Sequence, residues 1–226
     1  VRTFVVFLIV LAGVAVAGDR VAEHLASGEA ESRLAAHGLA DPQVDVGGFP
    51  FLTQLAAREF SDVRVTASAL DADQGTARDL DVTARGVAAP SGGDVTLDQV
   101  QGTGLVTYDE VVARAGVPDL RMRPGDSPDT VRMTSTVQVL GEPVDVVATS
   151  RVRATGRTVR VTPRSFELAD GSSVGGSLTA TLADRLSVVY PLRDLPGGVT
   201  VRDVRATADG FAVVVEGRDV VLRDLG

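Results

Sequence analysis

The feature that most constrains this chain is a run of strict two-residue alternation. Between Val131 and Val139, Val131, Met133, Ser135, Val137 and Val139 alternate with Arg132, Thr134, Thr136 and Gln138. A period of two is that of a strand with one buried face and one wet face. Comparable alternation runs from Ser61 through Val63, Val65, Ala67 and Ala69, and strand-like stretches cover Asp79–Ala88 and Asp94–Val106. Gly141-Glu142 turns the central strand, Val144–Val152 returns, Ala154-Thr155-Gly156 turns again, and Thr158–Leu168 makes a third pass. Connections this short join antiparallel neighbours. Pro196-Gly197-Gly198 opens a last hairpin, Val199–Thr207 and Phe211–Val215, around the turn Asp209-Gly210.

Composition supports this reading. Hydrophobic residues make up 44% of the 226, yet aromatics only 4%, and Trp is absent. The apolar content is mostly Val, Ala and Leu, and Val suits a pleated, half-buried surface. Helices are expected at Asp19–His37, ended by Gly38, and after Thr107-Tyr108-Asp109-Glu110, a capping-box pattern. Leu178, Leu182 and Leu186 have helical spacing, and Gly116–Asp129 reads as a loop rich in Pro, Gly and Asp. The fold class is therefore α+β, dominated by antiparallel sheet, with an N-terminal hydrophobic helix in front.

That leading segment, Thr3–Gly18, carries no charge. Ala15-Val16-Ala17 fits a signal-peptidase site, whereas Val14, Val21 and Leu25 fit a helix continuing out of a membrane. Both alternatives export the rest of the chain. Residues 1–18 are thus expected to be a signal peptide or membrane anchor, and 19–226 a single domain on the outer side of the cytoplasmic membrane.

Net charge is −8, which repels phosphate backbones at long range and makes nucleic acid an unsuitable partner. All basic residues are Arg, the mark of a GC-rich genome. The absence of Cys excludes disulfides, thiolate metal sites and Cys nucleophiles. The two His, His24 and His37, have no ligand at zinc spacing, and no nucleophile elbow, phosphate loop or dinucleotide fingerprint is present. No cofactor and no enzymatic site is expected. Long aliphatic strand faces with few bulky aromatics suit a hydrocarbon trough, and suit an ordinary β core equally well.

Resemblance separates these alternatives. Gly47-Gly48-Phe49-Pro50-Phe51-Leu52-Thr53-Gln54-Leu55 lies between the N-terminal helix and a Val-x-Val-x-Ala strand. With Thr107-Tyr108-x-Glu110, Leu195-Pro196-Gly197-Gly198-Val199-x-Val201 and Asp209-Gly210-Phe211-x-Val213, it resembles the LmeA family of phospholipid-binding envelope proteins. The resemblance implies a tubular lipid-binding (TULIP-like) fold, a long curled antiparallel sheet wrapped around a helix and enclosing an apolar groove. It implies no catalytic residues and a phospholipid, phosphatidylinositol-type in some relatives, as ligand. Ala57-Arg58-Glu59 departs from the Gly-Arg or Gly-Lys of many relatives. Lipid-contacting residues are expected at Phe49, Phe51 and Leu52 around the mouth, with Val63, Val65, Val137, Val139 and Phe211 along the sheet. The alternative is a non-catalytic adaptor that stabilises another envelope protein at the membrane.

Overall fold

A computed structural model describes residue 35 and residues 38–72, 75–90, 94–139, 142–168, 171–172, 177–192 and 195–222. The leading segment 1–18, the helix expected over 19–37 apart from residue 35, and residues 91–93 and 140–141 lie outside them. So do the side chains of Phe51, Leu52 and Val139. In chain order the elements are β1 Leu39–Ala40, β2 Gln43–Gly47, α1 Phe51–Ala57, β3 Glu59–Ala72, β4 Gly75–Ala88 and β5 Val95–Thr107. There follow α2 Tyr108–Ala115, β6 Arg121–Pro124, β7 Thr130–Val139, β8 Glu142–Thr155 and β9 Thr158–Leu168. The last are α3 Ser177–Leu186, β10 Val188–Pro191, β11 Val199–Ala206 and β12 Gly210–Leu222. The strands form a seven-stranded sheet ordered β1-β3-β4-β5-β12-β11, with β2 also on β3, and a five-stranded sheet ordered β10-β9-β8-β7-β6. The sheet-dominated, antiparallel architecture expected from the alternation is present, but as two sheets in place of one long ribbon.

The chain divides into two compact units. The first comprises the described residues up to Gly104 with 195–200 and 214–222. Its centre is the β3–β4 hairpin, in unbroken register from Glu59↔Ala88 to Ala72↔Gly75. The buried side nevertheless changes twice along β3. Phe60 is buried, then Val63, Val65 and Ala67, then Leu70, so the spacing is three where a flat strand would give two. Each change falls opposite a β4 residue with positive φ, Gly86 (φ 58) and Asp79 (φ 50). The same skip recurs on β5, from Leu97 to Val100, and on β12, from Gly217 to Val220 beside Asp219 (φ 48). A local left-handed residue bends a strand and raises its twist, as at a bulge. A Cβ at Gly86 would lie 2.0 Å from the Asp98 carboxylate on β5, so a larger residue there obliges that side chain to move. The alternation expected to carry Ala69 inward therefore stops at Ser68, and Leu70 takes the buried position.

The second unit, Leu105–Leu192 with Val201–Val213, contains the five-stranded sheet. Its register places Val131, Met133, Ser135 and Val137 on one side with Val146, Ala148, Ser150 and Val152. Phe166 stands beside Ala148, and Val161 beside Val152. All of these are buried. Pro163 is tolerated in β9 because β10 pairs only with Thr158–Val161, so its missing N–H interrupts no ladder. Helix α3 packs against β9 with Leu182 and Leu186 buried, and α2 packs against β6. Strand β6 falls inside the stretch read from sequence as loop. It is four residues long and ends in Pro124, and only its pairing with Arg132–Thr134 and Val131 makes it a strand.

Candidate functional site

The segment Gly47–Glu59 forms a stapled turn. Pro50 caps α1 from an extended conformation, and Arg58 ends the helix at φ 58, ψ 35 with its N–H donating to Leu55 O. The left-handed residue at this corner is thus Arg58, next to Ala57. The Phe49–Pro50 peptide is cis. Gln54 turns its side chain back over the turn: Nε2 donates to Gly47 O at 3.4 Å, and Oε1 accepts from Ser61 N at 2.7 Å. Gly48 (φ 104) admits this, since a Cβ there would lie 2.6 Å from Gln54 Nε2. The result is a fixed tip from which Phe49 projects 98% exposed.

Val63 and Val65, at 1% and 2% exposure, lie in two cross-strand rows on β2, β3 and β4: Val46–Val63–Ala84 and Val44–Val65–Val82. These rows contain only small aliphatic side chains. Gly102 on β5 continues the pattern, with its open α-carbon filled by Val82 and Val215 methyls. Each fully buried Val contributes roughly 1.5–3 kcal/mol. These rows, the half-buried Val46 apart, are closed to solvent and carry no hydrogen-bonding side chain.

In the second unit Val137 is buried at 9% and pairs with Val144. Phe211, 4% exposed, stacks edge-on against Tyr108 with ring centroids 5.1 Å apart and planes at 76°. Tyr108 O–H donates to Thr207 O at 2.7 Å, and burial, followed by nearby Asp209, pushes its phenol pKa up. The two hydroxyls on the buried sheet face are already engaged. Ser135 Oγ donates to Pro118 O at 2.9 Å, and Ser150 Oγ to Met133 Sδ at 3.2 Å. That face is therefore chemically apolar despite its two serines. The structure places Val63 and Val65 in one unit, and Val137 and Phe211 in the other.

Among the described residues two carboxyls, Asp81 and Asp129, are displaced from their ordinary range, both downward. Asp81 is lowered by its hydrogen bonds from Arg64 (2.6 and 2.9 Å), and Asp129 by the Ser127 hydroxyl and by Arg151. A general acid at neutral pH needs the opposite shift. Among the described residues no group of His, Asp or Glu is placed to hold a metal ion.

The profile of the LmeA-like phospholipid-binding family matches residues 17–217, most of the chain. This protein belongs to that family. Comparison with curated proteins and with solved structures gives no match. Family membership assigns phospholipid as the class of ligand.

Proposed function

We propose that this protein binds a phospholipid by its acyl chains and acts as a non-catalytic carrier or chaperone in the cell envelope, on the outer side of the cytoplasmic membrane. The observation that carries the proposal is the family match over residues 17–217. The apolar sheet faces, with small side chains and internally satisfied hydroxyls, support it. Val63, Val65, Val137, Val139 and Phe211 are the proposed acyl contacts on a TULIP-like sheet, with Phe49, Phe51 and Leu52 at the entrance. The head group is proposed to be of the phosphatidylinositol type, as in some relatives. Each buried methylene contributes about 0.8 kcal/mol, so a long acyl chain gains on the order of 10 kcal/mol before ordering costs.

The test is native mass spectrometry of the exported chain isolated from its host envelope, followed by delipidation and reloading from phosphatidylcholine, phosphatidylglycerol and phosphatidylinositol vesicles. One phospholipid per chain, lost on delipidation and regained on reloading, is expected. Val65→Phe is expected to reduce reloading, because the larger ring overpacks the buried row formed with Val44 and Val82. Delipidated, folded protein that takes up none of the three lipids overturns the proposal.

A further inference from the structure

The wet face of the five-stranded sheet is the most unusual surface among the described residues. Cross-strand register puts Arg123 of β6 directly opposite Arg132 of β7, and Arg153 of β8 directly opposite Arg160 of β9. Arg121 lies on the same face through its pairing with Thr134, and Arg151 through its pairings with Thr130 and Thr162. The register shift between Thr149 and Ser150 leaves Arg164 as an extra, exposed residue of β9. Between the arginines stand Thr134, Thr136, Thr149, Thr162 and Ser165.

Opposing charge is sparse. Glu167 reaches Arg132 at 3.6 Å, and Asp129, at the start of β7, lies 3.1 Å from Arg151 Nε. Asp145 accepts from the Thr136 hydroxyl at 2.7 Å. The Nε atoms of Arg132 and Arg151 are buried without a hydrogen bond, so Asp129 meets Arg151 as a charge rather than as an aligned acceptor. Among the described residues Arg121, Arg123, Arg160 and Arg164 make no ion pair.

Like charges placed directly across a ladder destabilise a sheet. Two such Arg–Arg pairs on one face, in a chain of net charge −8, are a cost that folding does not explain. Guanidinium groups interleaved with hydroxyls match phosphate oxygens. The face spans five strands, about 20 Å, broader than one head group requires. At its β10 edge Val189, 47% exposed, stands opposite Arg160 and adds an apolar contact.

We propose that this arginine face docks the protein on an anionic phospholipid bilayer, the surface from which its lipid is taken or to which it is delivered. The choice of bilayer as partner rests on the phospholipid reading above. Local charge governs the contact, because screening confines each charge to about 8–10 Å, and on this face the arginines outnumber Glu167, Asp129 and Asp145. Docking is therefore sensitive to salt and to lipid charge.

The experiment is co-sedimentation of the full exported chain with vesicles of phosphatidylcholine alone and of phosphatidylcholine with phosphatidylglycerol, at low and high salt. Binding is expected only to the anionic vesicles and is lost at high salt. The triple variant R123T/R153T/R160T is expected to reduce partitioning roughly 100-fold at low salt, at about tenfold or less per arginine. The corresponding Lys triple is expected to retain it. The equal charge change R78T/R85T/R218T, in the other unit, is expected to leave it nearly unchanged. Lipid loading measured by native mass spectrometry stays intact in R123T/R153T/R160T, which separates this inference from the carrier proposal. Denaturation midpoints of the Thr triple equal to or above the parent exclude misfolding. Equal binding to both vesicle types, equal loss in the two Thr triples, or capture by heparin without vesicle binding would each overturn the docking face.

Discussion

Gly210→Ala is predicted to be the most damaging single methyl addition in the second unit. Gly210 opens β12 at φ 156, and its carbonyl accepts both the N–H of Thr207 at 2.8 Å and the Thr207 hydroxyl at 2.9 Å. A Cβ at this position would lie 2.2 Å from Val106 O and 2.8 Å from Thr107 Cα. Both neighbours are backbone, so relief requires moving a strand end and not rotating a side chain. Adopting this φ with an L side chain costs on the order of 1–3 kcal/mol. Displacing the backbone brings the total to about 4 kcal/mol or more, the range reached by few point substitutions. Gly156 is the matched control. It also has positive φ (60), in the β8–β9 turn, but open space surrounds its missing Cβ. Gly156→Ala should therefore cost only the conformational part, about 1–2 kcal/mol. Urea unfolding followed by far-UV circular dichroism compares the two. If Gly210→Ala loses no more stability than Gly156→Ala, the close approach of β12 to Val106 and Thr107 is not what holds this corner.

Other outcomes follow from single contacts. Phe49→Ala should change stability by less than about 0.5 kcal/mol despite removing an aromatic ring, because that ring is 98% exposed; a midpoint shift worth 2 kcal/mol would place it in a core. Tyr108→Phe should cost about 1 kcal/mol through the lost bond to Thr207 O, and an unchanged urea midpoint would show the hydroxyl prefers water. Arg64 holds the Asp81 carboxyl below its ordinary range, so the pair stabilises above the unfolded carboxylate value, about 3.9, and that contribution fades as pH falls through the lower folded value. The stability gap between parent and Arg64→Gln should be small, since both side chains are well exposed, and should close in acid; a gap that widens below pH 4 contradicts the assignment.

Much of the local structure was legible from residues. The alternation from Val131 to Val137, the turns after Thr155 and at Asp209-Gly210, and the Thr107 cap are short-range signals, and each is present. In the capping box, Thr107 Oγ1 accepts from Glu110 N at 3.3 Å, while the Glu110 carboxylate takes Arg114 one turn on. Helix α1 was not foreseen, because Pro50 and two glycines read as irregular chain; its end depends on Arg58 accepting a left-handed conformation. The extension of β12 beyond Val215 was hidden by Gly217 and Asp219, where the buried side switches and the two-residue period fails.

The sequence by itself determined that strands would form, roughly where they would turn, and to which family the chain belongs, because periodicity, turn chemistry and a family motif are written along the chain. Tertiary structure alone decided which faces meet, since register between strands is a relation between distant residues. It brought Val44, Val65 and Val82 into one aliphatic row and set Arg123 against Arg132. The first pairing gains by burial, and the second sets like charges against each other with Glu167 reaching Arg132 from the same face.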